Sequence, residues 1–498
     1  MLPSLQDLFC KDLPTSPQPG IGKVLVAGAT GYVGGRLVPE LVSRGYDLRV
    51  MVRNKVGNTN KWLNTQVVVA DALNQEQLDV ALEEVQVAYY LIHSLNLGPD
   101  EFADKDKIAA ENFQLTANKK GVKRIIYLGG AGDEQNCQSN HLRNRMAVTE
   151  ILKQGSVPVT ALRAAVIIGS GSASYEIIKN LVLNLPIILL PNWVKNKCQP
   201  IAIRDVIKYL VGVLELEEST GKSYEIGGKD ILTYEDMLKI CSKILGSKTL
   251  FGNFPNLNIS IYSYIASLFT PVPAPIINCL MEGLKDNTVC CEDSITHLIP
   301  FETLSYREAI VRALSREEQD IVYTRWSDAY PPAHELAIKL SELTELPRFI
   351  SRYSLSTRKS SASLFQNICK IGGKDGWFRN NWMWRLRGLV DRILMGVGTA
   401  RGRKSSQWIE INDVIDFFRI ENLKPNELLL LRAEMKLPGR AWLEFRIDKK
   451  QDRFNILTVI AYFQTKTFFG KLYWYVFLPF HHIIFKDLIE EIDARSSS

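Results

Sequence analysis

The sequence predicts an α/β domain built on a doubly wound parallel sheet with a small cap, followed by an α+β domain in which antiparallel strands precede one long helix. Three features predict it: a glycine-rich turn joining an apolar strand to an apolar-faced helix near residue 28, short apolar strands alternating with helical stretches as far as residue 162, and a strand-rich last third that closes on a helix.

The first element begins at Lys23, where KVLVAGATGYVGGRLVPELVSRG reads as a buried strand, a turn and a helix carrying Val33, Leu37, Val38, Leu41 and Val42 at helical spacing. Gly28, Gly31 and Gly34 form GxxGxxG between strand and helix. Small residues there let the backbone approach a pyrophosphate whose charge the helix N-terminus stabilises; a tight turn serving only helix packing is the plainer alternative. The next strand, 47–52, ends at Arg53, about 20 residues beyond the glycines, where an NAD site places an acid for the ribose 2′-hydroxyl. An arginine suits a 2′-phosphate, so NADP is expected over NAD, against the alternative of a solvated side chain. Further strands are expected at 66–70, 87–92, 124–128 and 159–162. They bring Asp71 and residues 93–95, beginning with His93, to strand C-terminal ends, the rim where such sheets bind ligands.

Together with VRN after the second strand, VVVADALN, AYYLIHSL, YLGGAG, LRAAVIIGSGSASYEIIKNL and QPIAIRDV, these residues resemble the atypical short-chain dehydrogenase/reductases, NAD(P)-binding Rossmann proteins of NmrA and epimerase-like type, over roughly residues 21–315. The resemblance implies that Gly28, Thr30, Gly31, Tyr32, Val33 and Gly34 cradle the pyrophosphate, that Arg53 meets the adenosine phosphate and Asp71 the adenine, and that His93 belongs to the cofactor site.

The sequence departs from this family where the chemistry is expected. Reductases of the class use a tyrosine acid/base, a lysine four residues on and a substrate-orienting serine. Here the serine position reads Gly129 and Gly130, and the YxxxK segment runs from His141 to Arg145. His141 becomes the candidate proton shuttle and Arg145 the candidate ribose or phosphate ligand, although arginine does not tune a neighbour by losing its proton. A binding-only site is the alternative. A literal YxxxK, Tyr175 to Lys179, falls on a later helix and reads as packing or pocket lining.

Residues 222–320 hold Thr233 as the cap of a helix starting at Tyr234, then an apolar stretch with Tyr262, Tyr264, Leu268 and Phe269. The resemblance makes this a substrate-side cap, and its apolar character implies an apolar substrate; a simple second core is the alternative. The expected organisation is a flexible arm (1–20), the Rossmann domain with its cap (21–320), a linker (321–360) suggested by Pro331, Pro332, Pro347 and SRYSLSTRKSSAS, and a second domain (361–498).

In that domain 427–434, 440–447 and 455–464 read as strands and 472–492 as a helix that Pro479 kinks or starts. GWFRNNWMWRLRGLVDRILMG, LLRAEMKLPGRAWLEF and FGKLYWYVFLPFHHIIF resemble an uncharacterised domain (DUF2867 type) found fused to this Rossmann type and similar to helix-grip lipid- and polyketide-binding proteins. The implied role is binding of an apolar small molecule, with Arg432, Glu434, Trp442, Glu444 and His481 as polar contacts against the alternative of core or surface positions.

Composition bounds these readings. The chain has 498 residues, 46% hydrophobic and 23% charged, which excludes a largely disordered or low-complexity protein. Its net charge of +6 is mild, but residues 351–404 carry twelve basic residues against Asp375 and Asp391, a local +10. Trp377, Trp382 and Trp384 lie among those arginines; core packing and contact with an anionic membrane surface are the competing readings, and no specific nucleic acid is predicted. Eight scattered cysteines suit a reducing, cytoplasmic setting without a disulfide framework or metal site. No secretory signal or transmembrane run is read. The expected function is an NADP(H)-dependent oxidoreductase for a hydrophobic small molecule. The alternatives are a non-catalytic NAD(P)-bound assembly or sensor protein, or a lipid carrier at a membrane surface.

Overall fold

The computed structural model describes residues 8–53, 64–93, 99–132, 137–253, 258–291, 294–318, 322, 324–329, 338–373, 375–399, 401–404, 408–449 and 454–497. Ser94, Leu95, Pro331, Pro332 and Lys374 lie outside them. The chain divides into two compact units, Met1–Thr270 with Ala274–Pro332, and Ala333–Ser498 with Pro271–Pro273.

In the first unit seven strands, β1 (Lys23–Ala27), β2 (Leu48–Val52), β3 (Thr65–Val69), β4 (Val85–Tyr90), β5 (Arg124–Gly130), β6 (Val159–Ala164) and β7 (Ser223–Ile226), form one sheet in the order β7-β6-β5-β4-β1-β2-β3. All its pairs are parallel. Alternate residues of β1 feed opposite layers because strand side chains alternate in direction. Val24 and Val26 pack with α1 (Gly34–Ser43) and α6 (Ile203–Glu215). Leu25 and Ala27 pack with α2 (Gln75–Ala81), α3 (Pro99–Lys119) and α4 (Asn140–Lys153). Two buried faces explain why these strands read as continuous apolar runs. The order reverses between β1 and β4, which opens a crevice at their C-terminal ends.

Helices α5 (Ala173–Asn184), α7 (Tyr234–Leu245), α8 (Ile259–Phe269), α9 (Ala274–Glu282) and α10 (Tyr306–Glu318) also belong to this unit. Thr233 caps α7 as expected, in a reciprocal capping box with Asp236.

Two expected boundaries are corrected. Residues 8–20 are clasped rather than loose: Cys10 and Leu13 are buried, and the Glu40 carboxylate accepts the Phe9 and Cys10 N–H groups at 2.6 and 3.1 Å. The linker expected over 321–360 is structured at both ends. Trp326 N–H donates to Gly171 O at 2.8 Å, and Phe349–Thr357 forms a strand, β8. Phe349, Tyr353 and Leu355 alternate with polar residues in that segment, a period of two that its serines and arginines obscure.

The second unit is a six-stranded antiparallel sheet of β8, β9 (Val414–Ile415), β10 (Phe418–Lys424), β11 (Leu428–Ala433), β12 (Arg440–Lys449) and β13 (Asn455–Gln464), ordered β8-β13-β12-β11-β10-β9. It is flanked by α11 (Ser361–Ile368), α12 (Asn381–Ile393) and α13 (Phe468–Ala494). Pro479 neither starts nor ends α13; it sits inside it on the exposed side, where the Tyr475 carbonyl that loses its bond is not enclosed by the core. Trp377 and Trp384 stack at 4.3 Å inside the unit, whereas Trp382 is 59% exposed, so the tryptophans divide between core and surface.

Candidate functional site

The glycine turn sits at the crevice between β1 and β4. Gly28 has φ +91°, and a Cβ there would lie 2.6 Å from Leu91 O, so the turn closes against the continuation of β4. Gly31 N–H donates to Gly28 O at 3.0 Å, and a Cβ on Gly34 would overlap that same oxygen. Helix α1 begins with Val33 as its N-cap and no capping side chain, which leaves its positive end to a ligand. Thr30, Tyr32 and Val33 lie within the turn; the Tyr32 ring lies under the Arg36 guanidinium at 4.2 Å. Arg36 also donates to Ser170 O at 2.8 Å and Thr324 O at 3.1 Å, fastening residues around 170 and 324 to the first turn of α1.

Arg53 is exposed immediately after β2, the strand beside β1. Asp71 follows β3, and its carboxylate accepts the Leu73 N–H at 3.0 Å while its own N–H donates to Gln77 Oε1 at 2.8 Å, an arrangement that holds its loop. An uncapped helix end, a cation after the second strand and the buried Arg145 Nη1 fit a dinucleotide, while the glycines let the turn close on its own backbone.

His93, expected in the cofactor site, faces the candidate catalytic residue. Its ring lies 5.3 Å from the His141 ring, and its Nδ1 is 3.6 Å from Asp106 Oδ2 on α3. His141 occupies the first turn of α4, which Ser139 caps, and Arg145 follows one turn later. Arg145 Nη2 donates to Leu128 O, its guanidinium lies 5.0 Å from the Tyr127 ring, and its Nη1 is buried with no hydrogen-bond partner. Burial lowers the His93 pKa to about 4; Arg145 adds to the effect and Asp106 opposes it. Burial also holds His141 well below its ordinary value, with His93 and Arg145 contributing. Both imidazoles are therefore neutral at pH 7, able to accept a proton or to offer an N–H to a substrate oxygen.

At the empty serine position a Cβ on Gly130 would lie 2.8 Å from Leu142 Cδ2, the tip of a flexible side chain. Asp106 and Cys279 were not legible as site residues. Cys279 on α9 is pushed up to about 12 by burial and feels both Arg145 and Asp106, which puts the cap helix beside this cluster. Tyr175 is fully buried, its hydroxyl 3.3 Å from Glu317, and Lys179 pairs with Glu317 and Glu176 at 3.0 Å, so the literal YxxxK fastens α10 to α5.

The neutral imidazoles carry a pH dependence. The unfolded chain protonates His93 near 6.5 and the folded chain near 4, so between these values the unfolded state holds more protons and stability falls as pH falls. The loss reaches about 3 kcal/mol for His93. Thermal unfolding from pH 7 to 4.5 is expected to decline less steeply for His93→Gln than for the parent; parallel curves exclude the effect.

In the second unit, cross-strand pairs put Arg419, Arg432, Trp442 and Tyr462 on one face of the sheet. Helix α13 packs on the other, where Phe463 stacks on Trp474 at 5.8 Å and His481 lies between Trp474 and Phe485. The polar contacts expected in one pocket are thus separated by the sheet. Glu434 is held by Arg401, Arg419 and Arg432 at 2.7, 2.5 and 3.4 Å, Trp442 Nε1–H donates to Glu421 at 3.0 Å, and Glu444 accepts from the Tyr462 hydroxyl at 3.1 Å. Among the described residues no group of three His, Cys, Asp or Glu side chains could hold a metal.

A family model described as NmrA-like matches residues 21–282, and one described as a protein of unknown function, DUF2867, matches 344–488. The photosystem II assembly factor Ycf39 of Trieres chinensis is 22% identical over 49% of this chain and 76% of its own length. A mitochondrial NADH dehydrogenase [ubiquinone] 1 alpha subcomplex subunit 9 of Arabidopsis thaliana is 26% identical over 43% of this chain and 56% of its own. The chloroplastic divinyl chlorophyllide a 8-vinyl-reductase of the same plant is 24% identical over 53% and 70%.

Proposed function

This chain belongs to the NmrA-like family, and from that premise we propose that its first unit is an NAD(P)(H)-dependent oxidoreductase for an apolar small molecule. The observation that carries the reading is the uncapped glycine turn at the strand-order reversal, with the His93–His141 cluster following β4 and β5. Gly28, Thr30, Gly31, Tyr32, Val33 and Gly34 hold the pyrophosphate, Arg53 selects a 2′-phosphate, and the unpartnered Arg145 Nη1 takes a ribose or phosphate oxygen. The bound nicotinamide supplies the hydride chemistry. His141 offers its N–H to the substrate oxygen in place of the family's tyrosine, and Asp106 orients His93 behind it. The apolar cap helices α8 and α9 favour an apolar substrate, and the second unit then serves to hold or deliver it.

His141→Gln is expected to lower kcat by about 10²–10⁴ while leaving the Kd for NADPH within about twofold. The measurement is NADPH oxidation with a panel of apolar enones and aldehydes, beside a fluorescence titration of the nucleotide. An unchanged kcat removes His141 from the mechanism.

A second reading, a nucleotide-bound assembly or sensor protein, is favoured by glycine in place of serine at Gly130 and by the buried Tyr175–Lys179 pair, which Glu317 engages. Its signature is tight NADPH binding with no turnover in the same panel.

A further inference from the structure

We propose that the second unit docks on an anionic lipid bilayer through the outward faces of α13 and α12. Helix α13 has an ordinary inner stripe, Gly470, Trp474 and Phe485, set against the sheet. Its outer stripe is also apolar: Phe468, Leu472, Val476, Phe480 and Ile483 recur every three or four residues and, with Phe469 and Tyr475 beside them, are all exposed, Phe468 and Phe469 74% each. From Phe468 to Phe485 the helix carries one formal charge, Lys471. A helix apolar on all sides belongs in a core or a membrane, yet this one covers one sheet face and leaves the other side open. It does not cross a bilayer, because no helix among the described residues is long and apolar enough. A stretch of about 27 Å lying in the plane of an interface fits it instead.

Helix α12 repeats the pattern, with Trp382, Leu386, Leu389 and Ile393 exposed along one face and Trp384 and Gly388 buried on the other. The two helices meet a common basic loop. Arg387 donates to Lys436 O at 2.8 Å, and Thr465, just before α13, donates to Pro438 O at 2.7 Å. Arg385, Lys436, Arg440, Lys466 and Lys471 are exposed around these segments.

The charge pattern selects the occupant. Residues 376–395 and 464–486 contain one acid, Asp391, which is buried and accepts the Gly398 and Lys436 N–H groups at 2.8 and 2.6 Å. An apolar stripe with an exposed tryptophan and tyrosine, rimmed by cations and with the exposed carboxylates Asp375 and Glu490 only beyond its ends, complements the headgroup and acyl boundary of an anionic leaflet.

The test is flotation of the full chain with vesicles of phosphatidylcholine alone and with about one quarter phosphatidylglycerol. Binding is expected to the anionic vesicles, weakened about tenfold or more by raised salt. The double variant Phe469→Ser/Tyr475→Ser, at exposed positions, is expected to lower it about tenfold or more. Lys466→Glu/Lys471→Glu, which leaves the apolar stripe intact, should do the same on anionic vesicles. Circular dichroism and thermal unfolding should match the parent in both. Absence of binding to either vesicle, or binding that neither double variant changes, overturns the proposal. So does self-association without lipid that Phe469→Ser/Tyr475→Ser abolishes, which assigns the face to a second copy of the chain.

Discussion

Replacing Glu434 with alanine is expected to destabilise the second unit by about 3–5 kcal/mol, because it leaves three buried guanidinium groups without the carboxylate they share. Arg401 and Arg419 reach it at 2.7 and 2.5 Å, with Arg432 at 3.4 Å, and all four side chains are nearly inaccessible to water. Although burial alone raises a carboxyl pKa, the three arginines hold Glu434 down at about 2. The sign follows from linkage. The carboxylate's contribution is full above the unfolded value near 4.5 and is lost as pH falls toward 2, about 3 kcal/mol in all. Glu434→Gln keeps an acceptor but not the charge, so it should show a smaller loss at pH 7 and less acid sensitivity than the parent. Urea unfolding of the full chain gives the magnitude, and hydrogen exchange in β10, β11 and β12 localises it. A loss below about 1 kcal/mol means that the arginines find other partners once the glutamate is gone.

Gly34→Val is expected to weaken NADPH binding by about 100-fold or more, since even its Cβ overlaps the Gly28 carbonyl oxygen at the closest point of the turn. Gly31→Asp is the companion variant. A Cβ at that position would lie 3.2 Å from the same oxygen, a smaller steric demand, and the added carboxylate repels a pyrophosphate. Isothermal titration with NADPH and NADH, together with thermal unfolding, separates lost binding from lost fold. Parent-like affinity in both variants means that this turn does not hold the nucleotide.

The parallel sheet was legible because its central strands β1, β2, β4 and β5 are buried on both faces, so continuous apolar runs mark them. Strand β8 was not, because Ser351 and Thr357 share its inward face with Phe349, Tyr353 and Leu355, Ile350 is exposed, and the serines resemble a linker. Residues 8–20 misled for a similar reason: their order comes from Glu40 on α1 accepting backbone N–H groups, a contact absent from any local pattern. The site divides in the same way. GxxGxxG is contiguous, and its chemistry is set by small residues at fixed spacing. His93, Asp106 and His141 come from three separated segments, and the 5.3 Å approach of the two rings is created by β4, α3 and α4 meeting in the fold.

The amino-acid order by itself determined the strand–turn–helix start, the doubly wound class and the strand-and-helix character of the last third, because these depend on local propensity and period; the missing serine, tyrosine and lysine followed from the resemblance to the reductases. Tertiary structure alone decided that Arg432 and His481 lie on opposite faces of one sheet, that three arginines converge on Glu434, and that the two histidines are neutral. Those properties depend on which distant segments exclude water from a side chain and which charges they bring near it, and a linear pattern carries neither.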